Sequence, residues 1–322
     1  MTLPQQYTIT TPYIVGPVHC YSAMLGGDLV LFDCGPPTME CRQFLKKNID
    51  LARVRHVIIT HGHIDHWGQA LWLAEQGITV YLPFADHLKI SRQKQRQQEV
   101  LALLDEAGFS AELMAQFNKI CKEDVLYPAF PPGYRIVEYD LPKKLGITAH
   151  SCPGHSVSDL VFAGDGWIIS GDTLLEGVFQ SPLLDVDLQK GGRFQNYLHW
   201  CETIVTLAQL EGNTICPGHR DTPQGVCQTI IQYIRTLLYR TRRFLPYRHE
   251  NDLMRQIEYA LVGRIKGPFH IYLKASEIIF IKDLIQALKT TGLYPQVGPQ
   301  LEDILSNRDN CSQATASLWG KS

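Results

Sequence analysis

The chain has 322 residues, 45% of them hydrophobic and 19% charged, which is long and apolar enough for a substantial buried core. Its 30 basic and 32 acidic side chains leave a formal charge of -2, so electrostatics make no case for nucleic acid or an anionic membrane surface as a partner. No apolar run is long enough to span a bilayer, and residues 1–6 lack a basic start followed by an apolar stretch. Nine cysteines without a framework spacing read as reduced thiols, and a cytoplasmic protein is expected.

The first elements read as strands over residues 7–15, 20–25 and 29–32, with Gly26-Gly27-Asp28 as a hairpin signal between the last two. A helix is expected over 39–48, anchored by Phe44 and Leu45. The run Val57-Ile58-Ile59 marks a buried strand over 56–60, followed by a polar turn, a helix to about 76 and a strand over 79–82. Residues 85–132 change character and read as a helical insertion whose basic run, 91–99, is a solvated face. Strands are expected again over 134–139, 146–151, 160–163 and 167–170, the last two joined by Gly164-Asp165-Gly166. A helix over 194–210, a strand over 213–216 and a long helix over 224–244 follow. Helical spacing in 253–262 and 278–288 makes residues 245–322 a helical appendix to a domain spanning 1–244.

The densest chemistry lies in His61-x-His63-x-Asp65-His66, four candidate ligands within six residues directly after a buried strand. A loop there can aim two imidazoles one way, and the start of the next helix can aim a carboxylate and a third imidazole another. Nitrogen and carboxylate donors suit Zn²⁺, and suit iron or manganese as well. A polar helix start accounts for Asp65 but not for three histidines beside it. Three later strands each end on one more candidate: His155 in Cys152-Pro153-Gly154-His155, Asp172 in Ser170-Gly171-Asp172-Thr173, and His219 in Cys216-Pro217-Gly218-His219.

With these segments in order, residues 7–231 resemble the metallo-β-lactamase superfamily, in its glyoxalase-II-like (hydroxyacylglutathione hydrolase-like) branch. The resemblance implies an α/β fold, an αββα sandwich of the metallo-β-lactamase type carrying the helical insertion and the C-terminal helical region, the latter possessing a winged-helix-like form in some relatives. It assigns His61, His63 and His155 to a first metal, Asp65, His66 and His219 to a second, and Asp172 to a bridge between them. Asp33 matches the family's early Asp, which orients the ligands from behind. Both carboxylates are present, so two divalent ions are expected, Zn²⁺ first among them.

A water between two cations ionises readily; metal binding brings its pKa from ~15.7 to around 7 and supplies a metal-bridging hydroxide. The expected activity is hydrolysis of a small-molecule acyl compound, a thioester before a lactone or other ester, with Asp65 handling a proton. Trp67 is expected to wall the substrate cleft, Tyr127 to cover it and Arg220 to meet an anionic substrate group. No counterpart is found of the basic residues that hold glutathione in glyoxalase II. A di-iron oxidoreductase on this fold is disfavoured by His63, where such relatives carry Glu. A nuclease is disfavoured by the near-neutral charge. A homodimer contact is a further expectation for residues 245–322.

Overall fold

The computed structural model describes residues 2–13, 15–122, 129–141, 145–179, 182–261 and 267–290. Among these residues ten strands form two sheets. The first holds β1 (Gln5–Ile9), β2 (Val18–Leu25), β3 (Asp28–Phe32), β4 (Val54–Ile58), β5 (Thr79–Leu82) and β6 (Arg135–Ile136) in that order. Its first three strands are antiparallel and β3 to β6 run parallel. The second sheet has the order β10 (Thr214–Pro217), β9 (Trp167–Gly171), β8 (Leu160–Ala163), β7 (Thr148–Ser151), with β9 and β10 parallel.

Alternation along the strands makes the layers, because successive side chains leave opposite faces of a sheet. Val30, Phe32, Ile58 and Tyr81 meet Leu160, Phe162, Trp167, Ile169 and Cys216 in one cluster between the sheets. Their neighbours Leu31, Val57 and Val80 face outward onto α1 (Met39–Asn48) and α3 (Ala70–Glu75), through Cys41, Leu45, Ala70 and Leu73. On the other side Val161, Ile168 and Ile215 face α8 (Asn196–Ala208) and α9 (Val226–Phe244), through Leu207, Ile230 and Tyr233. The result is the expected helix–sheet–sheet–helix sandwich.

Several expected elements come out with different bounds, each for a local reason. The first strand stops at Ile9, because Thr11 Oγ1 turns the chain by bonding Gly16 O at 2.6 Å and accepting from Tyr13 N at 3.2 Å. The helix expected to run on to about 76 is two: α2 (Ile64–Trp67) and α3. Between them Gly68 lies against Pro37, whose N would be 2.3 Å from a Cβ there, and Gln69 Nε2 donates to Pro36 O (2.7 Å) and Thr38 O (2.9 Å). The strand expected over 134–139 is only β6, followed by α7 (Val137–Asp140), whose Asp140 Oδ2 accepts from the Ile136 N–H just before the helix. The hairpin between β2 and β3 is as expected, its Gly26 and Gly27 both at positive φ (57° and 89°), a conformation that glycine adopts without strain.

The insertion forms α4 (Phe84–Ser91), α5 (Gln93–Glu106) and α6 (Ala111–Lys122). In the C-terminal region a single 3-10 turn (Leu245–Tyr247) leads to α10 (Leu253–Leu261) and α11 (Pro268–Thr290), with no strand among the described residues after β10. Both regions join one outer layer: Leu104 and Phe109 share an apolar cluster with Ile271, Tyr272, Ala275, Phe280 and the helices over the second sheet. Phe117 meets Tyr272 with ring centroids 4.9 Å apart. The loop between β9 and α8 is fastened to α11, through Leu184 N to Ser276 Oγ (3.0 Å) and a two-pronged Arg193–Asp283 pair (2.7 and 2.8 Å). No helix among the described residues is long and apolar enough to cross a membrane.

Phe280 is 2% exposed and packs edge-on to Phe179, Tyr197 and Trp200. Phe280→Ala therefore removes about 3–5 kcal/mol of stability. Denaturant unfolding followed by tryptophan fluorescence and by far-UV circular dichroism checks this. The expected result is one transition at lower midpoint in both signals; an early, separate loss of helix signal would mean that α11 is an independent unit.

Candidate metal centre

Every candidate ligand stands at the carboxyl end of a strand, on the edge where the two sheets face each other. His61 and His63 follow β4, with Asp65 and His66 in the first turn of α2; His155 follows β7, Asp172 follows β9 and His219 follows β10. Two groups of potential ligand atoms result, His61–His63–His155–Asp172 and Asp65–His66–His219, the atoms of each within 4.8 Å of one another.

In the first group His61 Nε2 faces His63 Nδ1 at 2.9 Å, and His155 Nε2 faces the same atom at 3.1 Å. In the second, His219 Nε2 lies 3.2 Å from Asp65 Oδ2. Asp172 stands between the groups: its Oδ1 is 3.3 Å from His66 Nε2 and 3.6 Å from His219 Nε2, and its Oδ2 is 3.7 Å from His155 Nε2. Such spacings match the edges of a coordination shell, which are about 3.3 Å for metal–ligand bonds of ~2.0–2.1 Å.

The tautomers can be read from the partners of the other ring nitrogens. His219 Nδ1 donates to Pro17 O at 2.6 Å, and His66 Nδ1 donates to Asp33 Oδ2 at 2.7 Å. Thr60 Oγ1 donates its single hydrogen to Asp33 Oδ2 at 2.9 Å, so towards His61 Nδ1, 3.0 Å away, it accepts. Each of these imidazoles thus keeps Nε2 for the centre. His66 Nε2 and His219 Nε2 are buried and make no hydrogen bond within the protein. A neutral imidazole lone pair against a carboxylate oxygen is repulsive, so the second group is complete only with a positive charge, a proton or a cation. The residues present therefore fit divalent metal ions.

Charge and burial separate the two groups. Burial, then His66 and the other nearby histidines, holds His61 well below the usual histidine pKa; burial and His155 do the same to His63. Burial also pulls on His66, but Asp33, Asp172 and Asp65 outweigh it and raise His66 well above the usual range. His219 is likewise raised, Asp172 and Asp65 prevailing over burial. Burial would lift Asp172 and Asp65, yet the same histidines leave both below the usual carboxylate range, Asp172 well below.

Backbone geometry marks the same edge. Asp33 and Arg220 are the non-glycine residues at positive φ among those described, 57° and 68°. Gly218 is required by space: a Cβ there would lie 2.5 Å from Asp172 Oδ1 and 2.8 Å from His66 Cε1. Gly62 is pressed in the same way by Asp86 of α4, whose Oδ1 would be 2.2 Å from a Cβ.

The structure thus brings together all seven residues of the expected ligand set, with Asp33 directly behind them. The three expected substrate contacts fare differently. Trp67 does not line a cleft: it is 1% exposed, donates from Nε1 to Gly62 O at 3.1 Å and stacks on Phe130 at 3.9 Å, so it braces the loop carrying His61 and His63. Arg220 is exposed beside His219. Tyr127 lies outside the described residues. Thr60 and His19 support the ligands although neither stands out in the sequence, since their partners lie 27 and 201 positions away.

The pKa directions give a signed expectation. The shifts favour protons on His66 and His219 that an ion must displace, and favour the neutral form of His61 and His63. Uptake by the second group should release protons and weaken more steeply as pH falls from 8 to 6. Calorimetric titration in buffers of different ionisation enthalpy reads this directly; equal proton release for each equivalent bound would contradict it. Gly218→Ala should weaken metal binding at least tenfold, measured by chelator competition, because the added methyl displaces Asp172 or His66.

A family model described as the metallo-beta-lactamase superfamily matches residues 14–219. The probable metallo-hydrolase YqjP of Bacillus subtilis is 25% identical over 240 residues, covering 70% of this chain and 73% of that protein. A beta-lactamase domain protein from Burkholderia ambifaria superposes with a TM-score of 0.73 at 18% identity, over 89% of this chain and 88% of that one. A metallo-beta-lactamase family protein from Thermus thermophilus does so with 0.69 at 18%, over 90% and 94%. With the family model spanning well over half of the chain and its ligand-bearing loops all within that span, the chain belongs to the metallo-beta-lactamase superfamily.

Proposed function

We propose that the protein is a hydrolase that holds two divalent metal ions, Zn²⁺ first among them, and cleaves an acyl compound, a thioester by preference. The observation that carries this reading is Asp172, whose two carboxylate oxygens face the two ligand groups separately. Membership of the superfamily and the likeness to a probable metallo-hydrolase support it.

His61, His63 and His155 would hold one ion, Asp65, His66 and His219 the other, with Asp172 shared. Bound there, the ions supply Lewis acidity and an ionised water at neutral pH. The chain's own residues do the rest. Asp172 and the buried imidazoles keep bulk water from the interior face, while His63 and His155, the half-buried members, mark the side open to substrate. Asp65 is held ionised by His66 and His219, so it is ready to take a proton at the oxygen not facing His219. A thiolate leaving group needs no proton to depart, which suits a site whose candidate for proton transfer, Asp65, would also be a ligand.

The test is elemental analysis of the purified protein followed by assay against thioesters, lactones and simple esters. Two equivalents of metal with thioester turnover is the expected result. Full metal occupancy with no turnover of any of the three would overturn it, and turnover of lactones alone would replace thioester by lactone. Asp172→Ala should lose both metal and activity, a drop of at least a hundredfold in kcat/KM.

A further inference from the structure

The loop that carries His219 belongs to the second sheet, yet it is held by the first. Four hydrogen bonds with β2 and the residue before it fasten it: Tyr21 Oη donates to Pro217 O (2.8 Å), His19 N to Gly218 O (2.7 Å), His219 Nδ1 to Pro17 O (2.6 Å), and His19 Nε2 to Arg220 O (2.8 Å). Main-chain groups and a phenol hold positions 217–219. At position 220, where the backbone turns into the left-handed region with φ 68°, the holding group is an imidazole.

We infer that His19 is a positioning residue for the Asp65–His66–His219 half of the metal centre: it pins the Arg220 carbonyl, keeps that residue left-handed and so aims His219. Arg220 O can only accept, so His19 Nε2 carries the hydrogen. His19 Nδ1 is then an acceptor for the hydroxyl of Thr8, 3.1 Å away and directly opposite on β1. Gln6 Nε2 in turn donates to Thr8 Oγ1 at 3.2 Å, which leaves the hydroxyl hydrogen for His19. This chain of donors fixes the tautomer that the clamp needs. His19 is 7% exposed, so water does not compete for the Arg220 carbonyl on that side. Its contacts with the metal edge run to the loop that carries His219; His61, the loop of His63, and His155 are held from elsewhere. The inference rests on the two-ion reading above.

The experiment titrates metal-free wild type, His19→Leu and His19→Gln with Zn²⁺ against a chromophoric chelator, the His19 variants also combined with Arg220→Gly. Co²⁺ absorption spectra report the geometry of each ion bound. His19→Leu should weaken one of the two ions by about 10–100-fold, the range for losing a residue that orients a ligand, and leave the other within a few-fold. Gln, whose amide can donate to the Arg220 carbonyl, should restore most of the loss. Arg220→Gly, at home in the left-handed region, should recover several-fold in the Leu background. Thr8→Val, which frees the tautomer but keeps the imidazole, should weaken the same ion to a lesser extent, and it serves if His19→Leu does not fold. Folded His19→Leu with both constants unchanged, with both weakened equally, or with no response to Arg220→Gly overturns the inference. Should the wild type take up one ion, the two-ion reading fails; the role of His19 then stands if that ion weakens in Leu and returns in Gln, and falls if it does not.

Discussion

The Asp33 carboxylate is the interaction on which the centre depends. It is buried, it accepts Thr60 N on Oδ1 at 2.8 Å, and on Oδ2 it takes both the Thr60 hydroxyl and His66 Nδ1. Through Thr60 it also reaches His61. One side chain therefore sets the tautomer of an imidazole in each ligand group. It can do so because the chain turns left-handed at Asp33 as β3 ends, pointing the carboxylate across to the end of β4. A buried carboxylate with every partner in place is stabilising, and with one removed it is a liability, so this hub ties the fold of the edge to the chemistry there.

The two sheets supply the frame. Alternating residues weld them through Phe32, Ile58, Phe162 and Trp167, and the strand ends that this packing brings together carry all the candidate ligands. Precision comes from crossings between the sheets at that edge: β2 to the His219 loop, and Leu160 N to Thr60 O at 3.0 Å. The insertion and the C-terminal helices thicken the outer helix layer over the second sheet. They reach the centre through the loop between β9 and α8, where Leu183 N bonds His155 O (3.2 Å), and through the start of α8, where Asn196 Nδ2 bonds Gly154 O (3.1 Å). A change of packing under α11 therefore has a short covalent and hydrogen-bonded route to a ligand.

Much of this was legible in the residues. Short β-rich runs located β3, β5 and β8 to β10 closely, the apolar run Val57-Ile58-Ile59 located β4 two residues late, and the glycines located both hairpins, because those signals are local. The candidate ligands at strand ends were legible for the same reason. What was missed depends on distant partners. Gly218 reads as a turn former, but its real constraint is the approach of Asp172 and His66. Trp67 beside the ligand motif reads as a cleft wall, whereas the helix start turns it inward onto Phe130. Thr60 and His19 are inconspicuous until the fold brings Asp33 and Arg220 to them. The C-terminal helices were visible as periodicity, but not their place in the outer layer, since α11 buries residues on more than one face.

Asp33 thus organises both candidate ligand groups at once. Asp33→Asn keeps the size of the side chain and tolerates the left-handed backbone, but sets an amide among three donors. Zn²⁺ titration of metal-free Asp33→Asn against a chromophoric chelator tests the claim most directly. Loss of about 10–100-fold in affinity at both ions is the result expected. Wild-type affinity at either ion, in a folded variant, would contradict it.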